Sequence, residues 1–171
     1  MIKLEPFLEK DGKYLLGWIH SEEELVQFAG PLFAYPLHLA QIKAYLLHEK
    51  RRVFKVVHIE SKKVIGMAEI YQESPKIAKL ARILIGEKDF RGKGLGGELI
   101  HALLHHAFSS PQQEVVKLFV YDWNDSAIRC YTRIGFQPTE REKVKNIVGQ
   151  QEWFAFEMEI KRAAFLLAHP N

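Results

Sequence analysis

Hydrophobic positions along the chain change their period several times, and each change marks an element. Residues 2–7 alternate as a short strand. Between Asp11 and Phe33, the residues Tyr14, Leu15, Trp18, Ile19, Leu25 and Phe28 fall at helical spacings, and Ser21 followed by Glu24 predicts a capping box for a second helix that Gly30–Pro31 ends. Leu39, Ile42, Tyr45 and Leu46 predict a helix within 37–48. Residues 52–58 and 64–71 predict a hairpin turning at 60–63. Leu80, Ala81, Ile83, Leu84 and Ile85 form a nearly continuous apolar run, the pattern of a strand covered on both faces. Leu95, Leu99, Leu103 and Ala107 then recur at helical spacing, widened by Ile100, Leu104 and Phe108, until residues 109–112 break the helix. Residues 115–121 predict a strand. Ala127, Cys130, Tyr131 and Ile134 give the inner face of a short helix, with Gly135 as its cap and a strand opening at Phe136. Residues 138–150 are polar and read as a loop before a last strand over 152–160. Strands and helices alternate around a mixed sheet, an α/β or α+β layer architecture.

The chain of 171 residues reads as one domain, 1–171, with a substantial core. A formal charge of +3, dispersed along the sequence, does not argue for a nucleic-acid partner. No apolar run approaches a membrane span, and the first residues lack the apolar core of a signal peptide. The lone Cys130 excludes an internal disulfide framework and points to a reducing compartment, with the cytoplasm as the default. Glu98, His101 and His105 share a helix face, but that face lies opposite the apolar stripe and reads as solvated rather than metal-binding. Lys50, Arg51 and Arg52 read as cations at a helix end. The apolar tail 163–168 needs a partner surface, its own or another chain's, and a homodimer through it or through the last strands is one arrangement.

The informative chemistry lies between the apolar run and the long helix, where Gly92, Gly94, Gly96 and Gly97 crowd together beside Arg91 and Lys93. A strand, a glycine turn and a helix start build an anion site. The glycines let several backbone N–H groups converge, and the helix adds its unpaired N–H groups and positive dipole end. The P-loop pattern fails because no hydroxyl residue follows the lysine. Gly92, Gly94 and Gly97 fit the dinucleotide spacing GxGxxG, but they do not leave the strand directly and too little chain follows for a doubly wound sheet.

Arg91–Gly96, with the sequence ArgGlyLysGlyLeuGly, resembles the Gln/Arg-x-x-Gly-x-Gly/Ala signature of the GNAT N-acetyltransferases. A second block, Asn124, Ala127, Tyr131, Gly135 and Phe136, resembles the Asn-x-x-Ala-x-x-x-Tyr-x-x-x-Gly-Phe element of the same family. The resemblance is close over 80–136. It implies a mixed, mostly antiparallel central sheet flanked by helices, with a pyrophosphate site at the strand–glycine turn–helix. It further implies acetyl-coenzyme A as co-substrate, no metal, and direct transfer to the amine of a small molecule or a peptide N-terminus. The branch with ribosomal-protein and small-amine acetyltransferases is the nearest in pattern; a non-enzymatic acyl-coenzyme A binding module on the same fold is the alternative.

Carried onto this sequence, the resemblance gives Arg91, Gly92, Lys93, Gly94, Leu95 and Gly96 to the pyrophosphate. Ile83, Leu84 and Ile85 would pair with the pantetheine arm as an added strand. The Ile85 N–H would hold the oxyanion. Asn124 would contact the cofactor arm while capping its helix, and Tyr131 would be the general acid. Some relatives that acetylate protein N-termini carry a Glu where this chain has Phe119, so no base carries over. Glu69, Asp122 or a water are the candidates. Trp18, Phe28, Phe33 and Tyr35 lie where the family builds one wall of the acceptor site, although core packing is the simpler reading of Trp18 and Phe28. Cys130 precedes Tyr131 inside the helix with no histidine near it in sequence, and is a poor nucleophile candidate.

Overall fold

The computed structural model describes residues 1–168. Eight strands form one sheet in the order β1 (Ile2–Pro6), β2 (Arg51–His58), β3 (Val64–Ser74), β4 (Ile77–Ile85), β5 (Val115–Tyr121) and β8 (Gln151–Lys161). The short strands β6 (Gln137–Pro138) and β7 (Val144–Val148) both run along β8. Every pairing is antiparallel except β4 with β5. The fold is the mixed α/β layer architecture that the element order predicts, with the mostly antiparallel sheet that the family resemblance implies.

Alternation along the strands divides the core between the two faces. On one face α1 (Gly12–Trp18), α2 (Glu22–Ala29) and α3 (Leu39–Leu46) pack Leu15, Leu25 and Ile42 against Met67. On the other, α4 (Leu95–Phe108), α5 (Asp125–Ile134) and α6 (Arg162–Ala168) cover Ala68, Ile70, Val116 and Leu118. Leu99, Leu103 and Leu104 of α4 are fully buried, and each contributes about 2 kcal/mol by leaving water.

The pairing of β4 with β5 decides where a site can form. It covers only Ile77, Ala78 and Lys79 against Val115, Val116 and Lys117, and past Lys79 the two strands are no longer bonded to each other. On its other side β4 carries an extra residue: Met67 pairs with Leu84 and Glu69 with Ala81. The bulge holds Arg82 at φ 49°, a left-handed conformation that costs a non-glycine residue about 1–2 kcal/mol.

Several local expectations change. Ser21 Oγ accepts from the Glu24 N–H as expected, but the Glu24 carboxylate reaches one residue further back, to the His20 N–H at 2.7 Å. The polar stretch 138–150 is not all loop. Residues 144–148 pair with β8 as β7, because a turn at Gly149, at φ 58°, folds them back and Val148 is buried. Arg51 opens β2 and still serves the end of α3 as a cation: its Nη1 donates to the Tyr45 carbonyl at 3.4 Å, and its guanidinium turns inward, 4.9 Å from the centre of the Tyr45 ring. Of the tail, Phe165 finds its partner on its own chain, buried and stacked on Phe108 at 5.4 Å, whereas Leu166 and Leu167 stay exposed. The same ring meets His101 and His105 at 6.5 and 5.1 Å, so the polar face of α4 is partly covered rather than fully solvated.

Candidate active site

The wedge between β4 and β5 opens into a cleft of about 650 Å³. One wall is the far half of β4, including Ile83, Leu84 and Ile85; the opposite wall is Phe119–Tyr121 of β5 with Asn124 and Tyr131 beyond it. Trp18, Phe28 and Gly30 close one side, and Arg141, Val144 and Asn146 close another. Trp18 and Phe28 therefore serve both readings, being buried in the α1–α3 core and also lining the cleft. The Tyr121 hydroxyl joins two sides, donating to the Val26 carbonyl at 3.2 Å and accepting from Asn146 Nδ2 at 2.9 Å.

Backbone polarity along β4 follows from its pairing. The Gly86 N–H donates to the Ile65 carbonyl at 2.8 Å, next to the Gly66–Ile85 pair. In an antiparallel ladder that places Ile85 in a pair whose own N–H and C=O point away from β3. The Ile85 carbonyl accepts from Arg91 Nε at 2.8 Å and the Gly86 carbonyl from Arg91 Nη2 at 3.1 Å. Arg91 thus ties the glycine loop to the end of β4. Gly86 is held by close approach: a Cβ there would lie 2.0 Å from the Trp18 ring, whose Nε1–H donates to Glu87 at 2.9 Å. Gly86→Ala must displace the indole, and we expect a loss of about 1–3 kcal/mol of stability, read as a lowered denaturation midpoint.

The loop beyond Arg91 fits an anion. Gly92 and Gly94 adopt φ 73° and 79°, and Gly94 caps α4 in the left-handed conformation. The N–H groups of Gly92 through Gly96 have no hydrogen-bond partner among the described residues; the first helical turn closes only with Gly97 and Glu98 donating to the Gly94 carbonyl. A Cβ at Gly92, Gly94 or Gly96 would meet nothing within 4 Å, so the space before these donors is open. Gly92, Lys93 and Gly94 are exposed, whereas the Leu95 side chain is buried and offers only its backbone. Lys93 Nζ lies 5.6 Å from the Phe90 ring centre.

Asn124 caps α5, its Oδ1 accepting from the Ala127 N–H at 3.3 Å, and also lines the cleft. Tyr131 stands beside it on the same wall, its ring 6.0 Å from Phe136. Burial pushes the Tyr131 phenol well above its ordinary value, with a smaller push from Cys130. Burial also raises the Cys130 thiol, which weakens it further as a nucleophile.

The base candidates fare differently. Glu69 is fully buried beneath the sheet, where Arg82 grips it through two bonds of 2.7 Å and the Tyr45 hydroxyl donates to it. It supports the bulge from behind and does not line the cleft. Asp122 pairs with Lys143 at 3.0 Å, also off the cleft lining. Arg82, Arg141 and Asn146 are lining residues that sequence reasoning does not single out. The valines and Ile147 within 144–148 are the signal that β7, and with it the Arg141–Asn146 wall, was there to find. Among the described residues no group of three metal-ligating side chains gathers, and no helix is long and apolar enough to cross a membrane.

Residues 8–136 match the model of the Acetyltransferase (GNAT) family. The chain belongs to that family. Among curated proteins, it is 35% identical over 74 residues to the spermine/spermidine N(1)-acetyltransferase of Bacillus subtilis, covering 42% of this chain and 48% of that protein. It is 31% identical over 81 residues to the mycothiol acetyltransferase of Corynebacterium efficiens, covering 47% of this chain and 27% of that protein. The chain thus spans about half, or less, of the length of these curated relatives. Among solved structures, the spermidine N-acetyltransferase of Vibrio cholerae bound to CoA and spermine superposes with a TM-score of 0.81 at 17% identity, covering 96% of this chain and 98% of that one. An aminoglycoside acetyltransferase in complex with coenzyme A gives 0.76 at 23% identity over the whole of both chains. At those identities the likeness to the two structures is one of fold.

Proposed function

We propose that this GNAT protein, acting as a single domain, transfers an acetyl group from acetyl-coenzyme A directly to a primary amine of a small molecule or a peptide N-terminus. The observation that carries the reading is the row of unpartnered N–H groups at Gly92–Gly96, next to a wedge between β4 and β5 with Tyr131 on its wall. Gly92–Gly96 hold the pyrophosphate through their backbone, and Arg91 keeps that loop against the strand end. The outward-facing edge of Ile83–Ile85 pairs with the pantetheine arm, and the Ile85 N–H donates to the oxyanion as it develops, a contact worth roughly 3–4 kcal/mol. Asn124 orders the wall at the start of α5. Tyr131 protonates the departing thiolate, for which a phenol kept neutral by burial is suited. No carboxylate is needed as base if the amine reaches the site neutral or loses its proton to water. The half-buried lone cysteine suits a reducing compartment such as the cytoplasm.

The cradle is tested through Gly94. A valine there meets no neighbour but must accept φ 79°, so the loop leaves its conformation and the N–H groups diverge. Calorimetry of Gly94→Val should show acetyl-coenzyme A affinity reduced at least about tenfold, equivalent to 1.4 kcal/mol, with the fold intact by circular dichroism. Unchanged affinity would show that this loop does not bind the co-substrate.

A further inference from the structure

The lining of the cleft carries an excess of positive charge. It includes Lys79, Arg82, Arg91 and Arg141 but, among the described residues, one carboxylate, Glu24. Glu24 is engaged at the cap of α2. The carboxylates behind the wall are fewer than the cations they face. Glu69 faces both Arg51 at 3.4 Å and Arg82 at 2.7 Å. Glu157 faces both Lys117 at 3.4 Å and Arg141 at 3.2 Å. Lys79 alone is balanced, by Glu73 at 3.1 Å. Glu69 and Glu157 are each shared between one cation of the lining and one behind it, which leaves a positive excess around the cleft, and Arg91, bonded to carbonyls, adds another positive charge at the end nearer the glycine loop.

The far end has a shape as well as a sign. The Lys79 ammonium and the Arg141 guanidinium lie 5.5 and 5.2 Å from the centre of the Phe119 ring. An apolar ring between two cations lowers the local dielectric and strengthens their attraction for an anion. The Arg141 side chain is half exposed and gives Glu157 one bond, from Nη1 at 3.2 Å, so its other N–H groups can take a carboxylate or phosphate.

We infer that the acceptor amine carries an anionic group, a carboxylate or a phosphate, which Arg141 holds beside Phe119. The inference rests on the proposed acetyl transfer and narrows its acceptor class. A polyamine or other polycation meets a wall of its own sign. The same positive wall also disfavours the ammonium form of a bound amine, which helps to deliver the neutral nucleophile in the absence of a carboxylate base.

The test compares matched acceptors that differ in charge: amino acids against their carboxamides, phosphoethanolamine against ethanolamine, and spermine. With wild-type protein, kcat/KM should favour the anionic member of a pair at least about tenfold, and the two anionic classes will distinguish carboxylate from phosphate. Arg141→Gln should erase most of that ratio, chiefly through KM, while Arg141→Lys keeps part of it. A binding arm stands apart from turnover: N-acetyl amino acids and their amides are titrated calorimetrically into coenzyme A-loaded protein, where the acids should bind more tightly and Arg141→Gln should remove the difference. Equal or tighter binding of the amides, faster acetylation of spermine or the carboxamides, or a preference unchanged in Arg141→Gln would overturn the inference. Failure of the transferase reading looks different: no thiol is released from acetyl-coenzyme A with any amine, whereas the charge preference in the binding arm is still read.

Discussion

Tyr131→Phe lowers kcat by roughly a hundred- to ten-thousandfold while acetyl-coenzyme A binds as to the wild type. The substitution removes one oxygen from a ring held against Phe136 on the cleft wall, so packing survives and only the proton donor is lost. The thiolate of coenzyme A must then take its proton from water. The pH dependence has a definite sign. A general acid loses activity as pH rises through its pKa, and burial raises that of Tyr131, so the fall moves upward. The wild type should show no loss of kcat from this group up to about pH 10, the ordinary value of a phenol. Single-turnover thiol release across pH, for both proteins, reads both effects. Wild-type turnover in Tyr131→Phe would remove Tyr131 from the chemistry and leave it a packing residue.

Glu69→Ala is expected to be the most damaging change for stability. Glu69 is wholly buried, and its loss leaves the largely buried Arg51 and Arg82 without their shared carboxylate, along with the Tyr45 hydroxyl. Breaking a buried pair from one side costs about 3–5 kcal/mol because an uncompensated charge remains. In a domain of this size that corresponds to a fall in Tm of roughly 10 °C. Burial, followed by the Glu69 charge, also drives the Tyr45 phenol well above its ordinary value, so its neutral O–H is the donor the carboxylate needs. The effect reaches the cleft, since Arg82 holds its left-handed conformation only while Glu69 grips it through two bonds. Scanning calorimetry of Glu69→Ala beside Glu69→Gln checks the claim. The amide keeps the shape and a partner for Tyr45 and should lose less; equal, small losses would mean that the network contributes little.

Much of this molecule is legible in the order of its residues because periodicity and turn chemistry agree. The apolar run at 80–85, the glycines after it and the stripe along α4 each demand one local structure, and together they place the anion cradle. Asn124 and Tyr131 are legible for a different reason: they belong to a block that resembles the family's Asn-x-x-Ala-x-x-x-Tyr-x-x-x-Gly-Phe element, and both line the wedge. What escapes is whatever depends on partners distant in sequence. Glu69 looks like an exposed strand carboxylate until α3 is laid over it and Arg51 and Arg82 converge. The bulge at Arg82 has no glycine to announce it, because an ion pair rather than a permissive residue holds it. β7 hides because its charged neighbours at 140–145 outweigh a few apolar residues, and pairing with β8 decides the matter. The charge of the cleft is the clearest case. A small formal excess spread along the chain says nothing, yet folding places Lys79, Arg82 and Arg141 on one cavity.

The central claim is that this GNAT chain moves acetyl from acetyl-coenzyme A to an amine. Its most direct test is thiol release from acetyl-coenzyme A in the presence of a broad amine panel, with mass spectrometry of the acceptor and Tyr131→Phe run alongside. Amine-dependent release, an acceptor heavier by one acetyl group, and loss of both in the variant are the predicted result. Tight coenzyme binding with no amine-dependent release from any member of the panel would contradict it and favour a binding module on the same fold.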